Sequence, residues 1–399
     1  MDEWKEYKLG DVCSRLRSGK GTKSDSVLDS GSYPVIGGNG IRGYANESNF
    51  KGECAVIGRQ GAYCGNVRFY EGEAYMTEHA VVVVGNELAD TRFLACLLSL
   101  MHLGNLSAQS AQPGISIQTL SKQIVRLPSI GYQKRVSAVI KSLDDKIEVN
   151  RRINENLVQQ AQALFKSWFV DFEPFKDGVF VESELGMIPK GWSVKEAQEV
   201  FEINIGKTPP RKESEWFSES KEDNIWVSIA DMGSCGVFIS DSSEYLTNEA
   251  VKRFNVVMVE KDSVLLSFKL TVGRVAIADA CLTTNEAIAR FILPDIGYRE
   301  FLYLYLKQYK YENLGSTSSI ATAVNSKTIK GMKLIMPPTD IIKSFSNNTK
   351  PLFEQIRNLQ QESRRLAELR DTLLPKLMSG EIKVMNTDLI NEMLEKGIR

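Results

Sequence analysis

The feature that most constrains this chain is a helical pattern that occurs twice. Leu127-Pro128 leads into one run of helical periodicity, and Met336-Pro337 leads into another about 209 residues later. Val136, Leu143, Ile147, Leu157 and Leu164 share one face of the first run. The matching positions in the second are Phe345, Leu352, Ile356, Leu366 and Leu373, all apolar and in the same phase. Self-similarity at so long a period means duplicated domains and not a solenoid of short repeats. A chain carrying one module twice has two like surfaces to offer, which points to a target in two parts.

The periodicity predicts helices over about Gln133–Phe169 and Ile341–Leu374. The first seam reads Val136, Ile140, Leu143, Ile147, Asn150, Asn154, Leu157, Ala161, Leu164, Trp168. The second reads Phe345, Thr349, Leu352, Ile356, Leu359, Ser363, Leu366, Leu373. Spacings of four and three sustained over about five heptads argue a coiled coil. Each helix would be about 55 Å long. Asn154 and Ser363 fall at matching seam positions, where polar residues fix register. Pro174 is expected to stop the first helix, and Pro375 to end or kink the second. A pseudo-two-fold that exchanges the globular blocks requires the helices to pair antiparallel. The alternative is two ordinary amphipathic helices, each packed on its own domain.

Before each helix lies a block of short β-rich runs punctuated by glycine. In the first block these are Tyr33–Ile36, Glu53–Ile57, Asn66–Tyr70 and Ala80–Val84, followed by a helix at Thr91–Met101 and a strand at Ile124–Leu127. The second block repeats the order. Ile225–Ile229 stands for Tyr33–Ile36, Ser263–Ser267 for Cys54–Gly58, Thr284–Ala287 for Thr77–Ala80, and Glu300–Leu306 for Arg92–Leu98. The expected architecture is α+β: two similar blocks at 1–130 and 191–338, and helical spacers at 131–173 and 339–379. A linker at 174–190 and a tail at 380–399 complete it. The tail carries Leu389, Ile390, Met393 and Leu394 in an amphipathic pattern.

Composition excludes several classes. No apolar stretch approaches the ~18 residues of a membrane span, and Met1-Asp-Glu-Trp-Lys-Glu6 has neither the basic start nor the apolar core of a signal peptide. A cytoplasmic protein is the default. The 6 cysteines are scattered without a C-x-x-C, and there are 2 histidines, so neither a zinc site nor a disulfide framework is expected. Gly206-Lys207-Thr208 resembles the end of a P-loop. Its required leading glycine is Phe201, however, and Pro209-Pro210 forbids the following helix. Ser18-Gly-Lys-Gly-Thr22 fails likewise, and no catalytic constellation is present. Net charge is −1, which neither supports nor excludes nucleic-acid binding, since local patches can hold phosphate while acids elsewhere cancel the sum.

What remains is a set of basic loops among glycines. They carry Lys20, Lys23, Asn39, Arg42, Arg59 and Gln60 in the first block, and Lys207, Arg211, Lys212, Lys269 and Arg274 in the second. Arginine reads guanine edges, Asn and Gln read adenine, and lysine holds phosphate. Solvated surface turns are the plain alternative for any one loop. Their recurrence at matching places in both blocks favours DNA contact.

These residues also carry a resemblance. Trp4-Lys-Glu-Tyr-Lys-Leu-Gly-Asp-Val12, Tyr33-Pro-Val-Ile-Gly-Gly-Asn-Gly-Ile-Arg-Gly-Tyr44, Ala163-Leu-Phe-Lys-Ser-Trp-Phe-Val-Asp-Phe-Glu-Pro-Phe175, Gly186-Met-Ile-Pro-Lys-Gly-Trp192 and Leu369-Arg-Asp-Thr-Leu-Leu-Pro-Lys-Leu-Met-Ser-Gly-Glu-Ile382 together resemble the specificity subunit of type I restriction–modification systems, over essentially the whole chain. Val194–Val200 departs from the Leu-Gly-Asp-Val pattern of the first half. The resemblance implies two target-recognition domains on double-stranded DNA, each reading half of a bipartite, asymmetric sequence. It implies an antiparallel helical spacer, with Leu143, Ile147, Leu157, Leu164, Leu352, Ile356, Leu366 and Leu373 in its packing and partner-docking surface. The expected partners are two methyltransferase subunits, which bind S-adenosylmethionine and methylate adenine, and restriction/motor subunits using ATP and Mg. This chain would hold no cofactor and no active site of its own. The rival readings are a self-contained DNA-modifying or DNA-cutting enzyme and a coiled-coil adaptor that binds protein.

Overall fold

A computed structural model describes residues 3–23, 26–107, 113–314 and 324–384. The expected amphipathic tail, with Leu389, Ile390, Met393 and Leu394, lies outside the described residues. The chain divides into two compact units that cut across its serial order. Unit 1 comprises the residues up to Ile147 and those from Arg365 onward, and unit 2 is Glu148–Arg364.

Unit 1 begins with β1 (Lys5–Lys8), β2 (Cys13–Ser18), β3 (Tyr33–Gly37), β4 (Gly40–Ala45), β5 (Phe50–Gly58), β6 (Val67–Met76) and β7 (Ala80–Gly85). Then come α1 (Thr91–Leu100), α2 (Ile117–Ser121), β8 (Ile124–Leu127) and the start of α3 (Ile130–Phe169). Strands β2-β7-β5-β6-β3-β4 form a six-stranded sheet, and β1 pairs with β8. The run Ala80–Val83 is buried on both sides. One face meets α1 through Phe93, Leu94 and Leu98, and the other packs on Ile36, Val56 and Met76. Asp90 caps α1 by accepting from the Phe93 amide.

Unit 2 follows α3 with a hairpin of β9 (Phe180–Ser183) and β10 (Gly186–Pro189), inside the stretch expected as linker. Next come β11 (Ser193–Glu196), α4 (Ala197–Val200), β12 (Glu202–Ile205), β13 (Phe217–Ser218), β14 (Asn224–Val227), α5 (Ile229–Ser234), β15 (Phe238–Ile239), β16 (Tyr245–Leu246) and α6 (Asn248–Arg253). They are followed by β17 (Val264–Ser267), β18 (Val275–Ala278), β19 (Thr283–Thr284), β20 (Ile288–Ile292), α7 (Arg299–Gln308), α8 (Ser326–Lys330), β21 (Lys333–Met336) and α9 (Thr339–Ser379).

The duplication is visible strand by strand. β2-β7-β5-β6 in unit 1 corresponds to β12-β20-β17-β18 in unit 2, and the β1–β8 pair to β11–β21. β3 lies parallel to the end of β6 through Ile36 and Met76, as β14 does to β19 through Val227 and Thr284. This register shifts two sequence matches: Tyr33–Ile36 corresponds to Asn224–Val227, with Ile229 in α5 and not in the strand. The Thr77 amide donates to Ile36 and the Asn285 amide to Val227, so Thr77–Ala80 corresponds to Asn285–Ile288, one residue later than Thr284–Ala287. Unit 2 also inserts α5, β15, β16 and α6, of which β16 and α6 pack on a small core of Trp216, Trp226, Leu246 and Val256.

Within each unit the two long helices run antiparallel. Tyr132 Oη donates to the Ile382 carbonyl and Arg370 reaches Asp144 at 2.9 Å in unit 1, while Asn150 Nδ2 donates to Glu362 at 2.7 Å in unit 2. Three details differ from the sequence expectation. α3 ends at Phe169, where the periodicity places its end, but ahead of Pro174, so the proline is not what stops it, and Phe172 then takes a left-handed φ of 54°. α9 runs through Pro351 and Pro375 to Ser379. Its last turn buries Leu377 and Met378 in the core of unit 1, so tertiary burial outweighs the hydrogen bond that Pro375 removes. Ser363 bonds to Asn150, at 3.3 Å, and not to Asn154, whose Oδ1 has no partner. Antiparallel pairing sets opposite Ser363 a residue one turn away from its repeat equivalent. Of the seam residues, Leu143, Leu157 and Ile356 are buried, and Ile147, Leu164, Leu352, Leu366 and Leu373 half-buried.

Candidate nucleic-acid interface

The basic loops expected to touch DNA grow from equivalent strand ends in the two units. At the end of β2 the Gly19 amide donates to Ala80 and the Lys20 amide to Met76. At the end of β12 the Gly206 amide donates to Ile288 and the Lys207 amide to Thr284. Gly19-Lys20 and Gly206-Lys207 are therefore the same feature twice. A Cβ on either glycine would overlap backbone carbonyls, those of Met76 and Thr77 or those of Thr284 and Asn285, so only glycine allows the strands to close here. The two stretches that fail as P-loops are thus explained as close-packed strand exits that each present an exposed lysine.

The β5–β6 and β17–β18 loops correspond as closely. The Arg59 amide donates to His79 as Phe268 does to Ala287, and the Gly65 amide donates to Gly58 as Gly273 does to Ser267. Counted from the incoming strand, Arg59 matches Phe268, Gln60 matches Lys269 and Gly61 matches Leu270, in a unit 1 loop that is one residue longer. The frame is held while the chemistry changes from Arg-Gln-Gly to Phe-Lys-Leu.

The other expected contact residues are placed as follows. Arg59 is half-buried with Nη1 3.5 Å from Ser18 Oγ, and Gln60 is exposed. Lys23 and Arg42 are exposed. Asn39, in the β3–β4 turn, is clamped by Arg68, which donates to its carbonyl at 2.6 Å and to Oδ1 at 3.1 Å. In unit 2, Lys207 Nζ is 3.3 Å from the Phe254 carbonyl, and Lys212 and Lys269 are exposed. Arg211 lies over Phe217 and Trp226 at 4.3 and 4.4 Å and forms a two-pronged pair with Glu244, both bonds 2.9 Å. Such stacking and bidentate bonding fix a guanidinium in place. Arg274 is turned inward, with Nη1 2.6 Å from the Ile229 carbonyl.

Sequence reasoning missed Arg68, Glu78, Glu244 and Leu270. Arg68 was legible from strand alternation, since it points outward between the half-buried Val67 and Phe69. Glu78 sits beside His79, 3.2 Å away, and its Oε2 is buried without a partner. Glu286 occupies the equivalent turn of unit 2 and bonds to Thr208. Nothing local in the sequence marks these acids.

Among the described residues no group of His, Cys, Asp or Glu is placed to hold a metal, and no helix is long and apolar enough to cross a membrane. Burial pushes the thiols of Cys13, Cys54 and Cys96 up to about 12, which suppresses the thiolate that nucleophilic chemistry needs.

Residues 1–159 and 189–363 match the type I restriction modification DNA specificity domain. The chain belongs to that family. It is 27% identical to the type I restriction enzyme HindI specificity subunit of Haemophilus influenzae, over 96% of this chain and 100% of the relative. It is 30% identical to the MjaIX specificity subunit of Methanocaldococcus jannaschii, over 71% of this chain and 66% of the relative. The crystal structure of the type I restriction–modification system S subunit from M. genitalium superposes with a TM-score of 0.59 at 15% identity, covering 94% of this chain and 96% of that one; this supports the fold. Specificity subunits are the non-catalytic members of these systems, and the matched regions are their DNA-recognition domains.

Proposed function

We propose that this specificity subunit reads a bipartite, asymmetric double-stranded DNA target, one half with each unit. Its antiparallel helices serve as ruler and as docking surface for two methyltransferase subunits, which in turn carry the restriction/motor subunits. It works in the cytoplasm, where the DNA is. The observation that carries this reading is the pair of equivalent loop frames filled with different side chains. Two copies of one scaffold with unlike reading surfaces suit a target whose halves differ.

The residues divide by role. Lys20 and Lys207, at the duplicated strand exits, hold phosphate, with Lys23 and Lys212 beside them. Arg59 and Gln60 meet base edges in the half read by unit 1, and Arg42 and Asn39 flank them from the β3–β4 turn. Arg211 enters from unit 2 already stacked and aimed, and Glu244 releases it to DNA. Arg274 shapes the β17–β18 loop through its bond to Ile229, and Lys269 carries charge at that loop.

The test is the adenine methylome of cells with and without this chain. Loss of one motif made of two short specified parts and an unspecified gap is the expected outcome. An unchanged methylome, with the methyltransferase subunits still expressed, would overturn the proposal. Methylation or cutting of DNA by the purified chain alone would favour the self-contained enzyme.

A further inference from the structure

Leu270 is the most exposed large apolar side chain among the described residues, at 98%, and it stands at a backbone φ of 59°. Left-handed backbone is uncommon for any residue with a Cβ and is strained for leucine. The residue at the same distance from the incoming strand in unit 1, whose loop is one residue longer, is Gly61, at φ 80°. At one left-handed loop tip the chain thus has the residue that fits in one copy, and in the other a strained leucine pointed at solvent.

The loop around Leu270 is built to keep it there. The Thr271 amide donates back to the Lys269 carbonyl at 2.7 Å, closing a tight turn with Leu270 at its apex. Ser267 Oγ donates to the Thr271 carbonyl at 2.5 Å and accepts from the Arg274 amide at 3.1 Å. Arg274 is in turn fixed to the Ile229 carbonyl. Both strain and exposure are therefore imposed by surrounding bonds, the situation in which an outlier signals function.

Resting on the DNA-reading proposal above, we infer that Leu270 is a specificity-determining residue that selects thymine in the half-site read by unit 2. In the major groove the one apolar group on a base-pair edge is the thymine C5 methyl. An exposed leucine at a loop apex, next to Lys269, suits that group and no polar edge. In unit 1 the same frame presents Arg59 and Gln60, which suit purine edges. This contrast makes the two halves of the target unlike at corresponding places.

The test uses the full chain assembled with the modification subunits of its own system. Its probes are duplexes carrying the methylome-defined target, the same target with deoxyuridine for thymine in one half, and a scrambled sequence, all at one salt concentration. Leu270→Gly removes the side chain and leaves the backbone better suited to its φ, so folding is not at risk. We expect the wild type to lose roughly fourfold on the deoxyuridine half-site, about what withdrawing one buried methyl group from contact costs. Leu270→Gly should lose a similar factor on the normal target and be indifferent to deoxyuridine. A wild type equally tight on thymine and deoxyuridine in the half-site read by unit 2 overturns the assignment, as does a Leu270→Gly variant that binds like wild type. A variant that binds DNA normally but fails to assemble with the modification subunits would make Leu270 a protein contact instead. A wild type that cannot tell target from scrambled duplex would fail at the earlier step, the DNA-reading proposal itself, and take this one with it.

Discussion

Arg299→Met is expected to cost unit 2 about 3–5 kcal/mol, the range for removing one partner of a buried ion pair. Arg299 and Glu300, the first two residues of α7, are 3% and 1% exposed. The guanidinium reaches Glu300 through Nη2 at 2.5 Å and Nε at 2.9 Å, Asp262 at 2.5 Å and Glu354 at 2.9 Å. Without it, Asp262 and Glu354 both keep Arg357. Glu300 keeps the Ser346 hydroxyl at 3.2 Å, which cannot neutralise a buried carboxylate. The double variant Arg299→Met, Glu300→Leu removes the stranded charge as well and should recover most of the loss. Urea denaturation followed by tryptophan fluorescence measures both. A loss below about 1 kcal/mol in the single variant, or no recovery in the double, would contradict this account.

Phe345→Ala should cost a similar amount, about 3–5 kcal/mol, for a different reason. Phe345 is fully buried on α9. Its ring lies 4.8 Å from Phe169, 5.7 Å from Trp168 and 6.1 Å from Phe165 on the part of α3 in unit 2. These edge-on contacts continue to Phe301 and Trp192, so truncation opens a cavity in a rigid aromatic lining that cannot collapse into it. Phe345→Leu, which keeps most of the volume, should cost no more than about 1.5 kcal/mol. Equal losses for the two substitutions in the same denaturation experiment would show that packing volume is not what Phe345 supplies.

The helices and the order of the strands were legible in the sequence because both rest on periodicity. The seam from Val136 to Trp168 and its repeat from Phe345 to Leu373 record burial directly, and short apolar runs mark the strands at Ile124–Leu127 and Ala80–Val84. Features that depend on what meets what across the fold were not legible. Pro375 reads locally as a helix end, yet Leu377 and Met378 carry the helix past it. Asn154 matches Ser363 by repeat arithmetic, whereas antiparallel pairing delivers Asn150 to it. The second position of the corresponding helices α1 and α7 carries opposite charges. Arg92 lies over Phe69 and near Glu71 and Asp144, while Glu300 is held by Arg299. Each works only because distant residues match it.

The candidate interface divides the same way. Glycine and basic composition pointed to the right loops, and the hydrogen-bond register then showed that the loops correspond. Composition also selected Arg274, whose side chain turns inward to the Ile229 carbonyl, and passed over Leu270, because an exposed leucine is unremarked until its backbone angle is known.

In the proposed function the two units read separate halves of one DNA target. It is tested most directly by the adenine methylome of cells whose chain has residues 197–332 replaced by the corresponding segment of the Haemophilus influenzae relative, with everything else unchanged. The account predicts a motif in which one half is new while the other half and the gap between them are retained. A motif altered in both halves, or left intact, would contradict it.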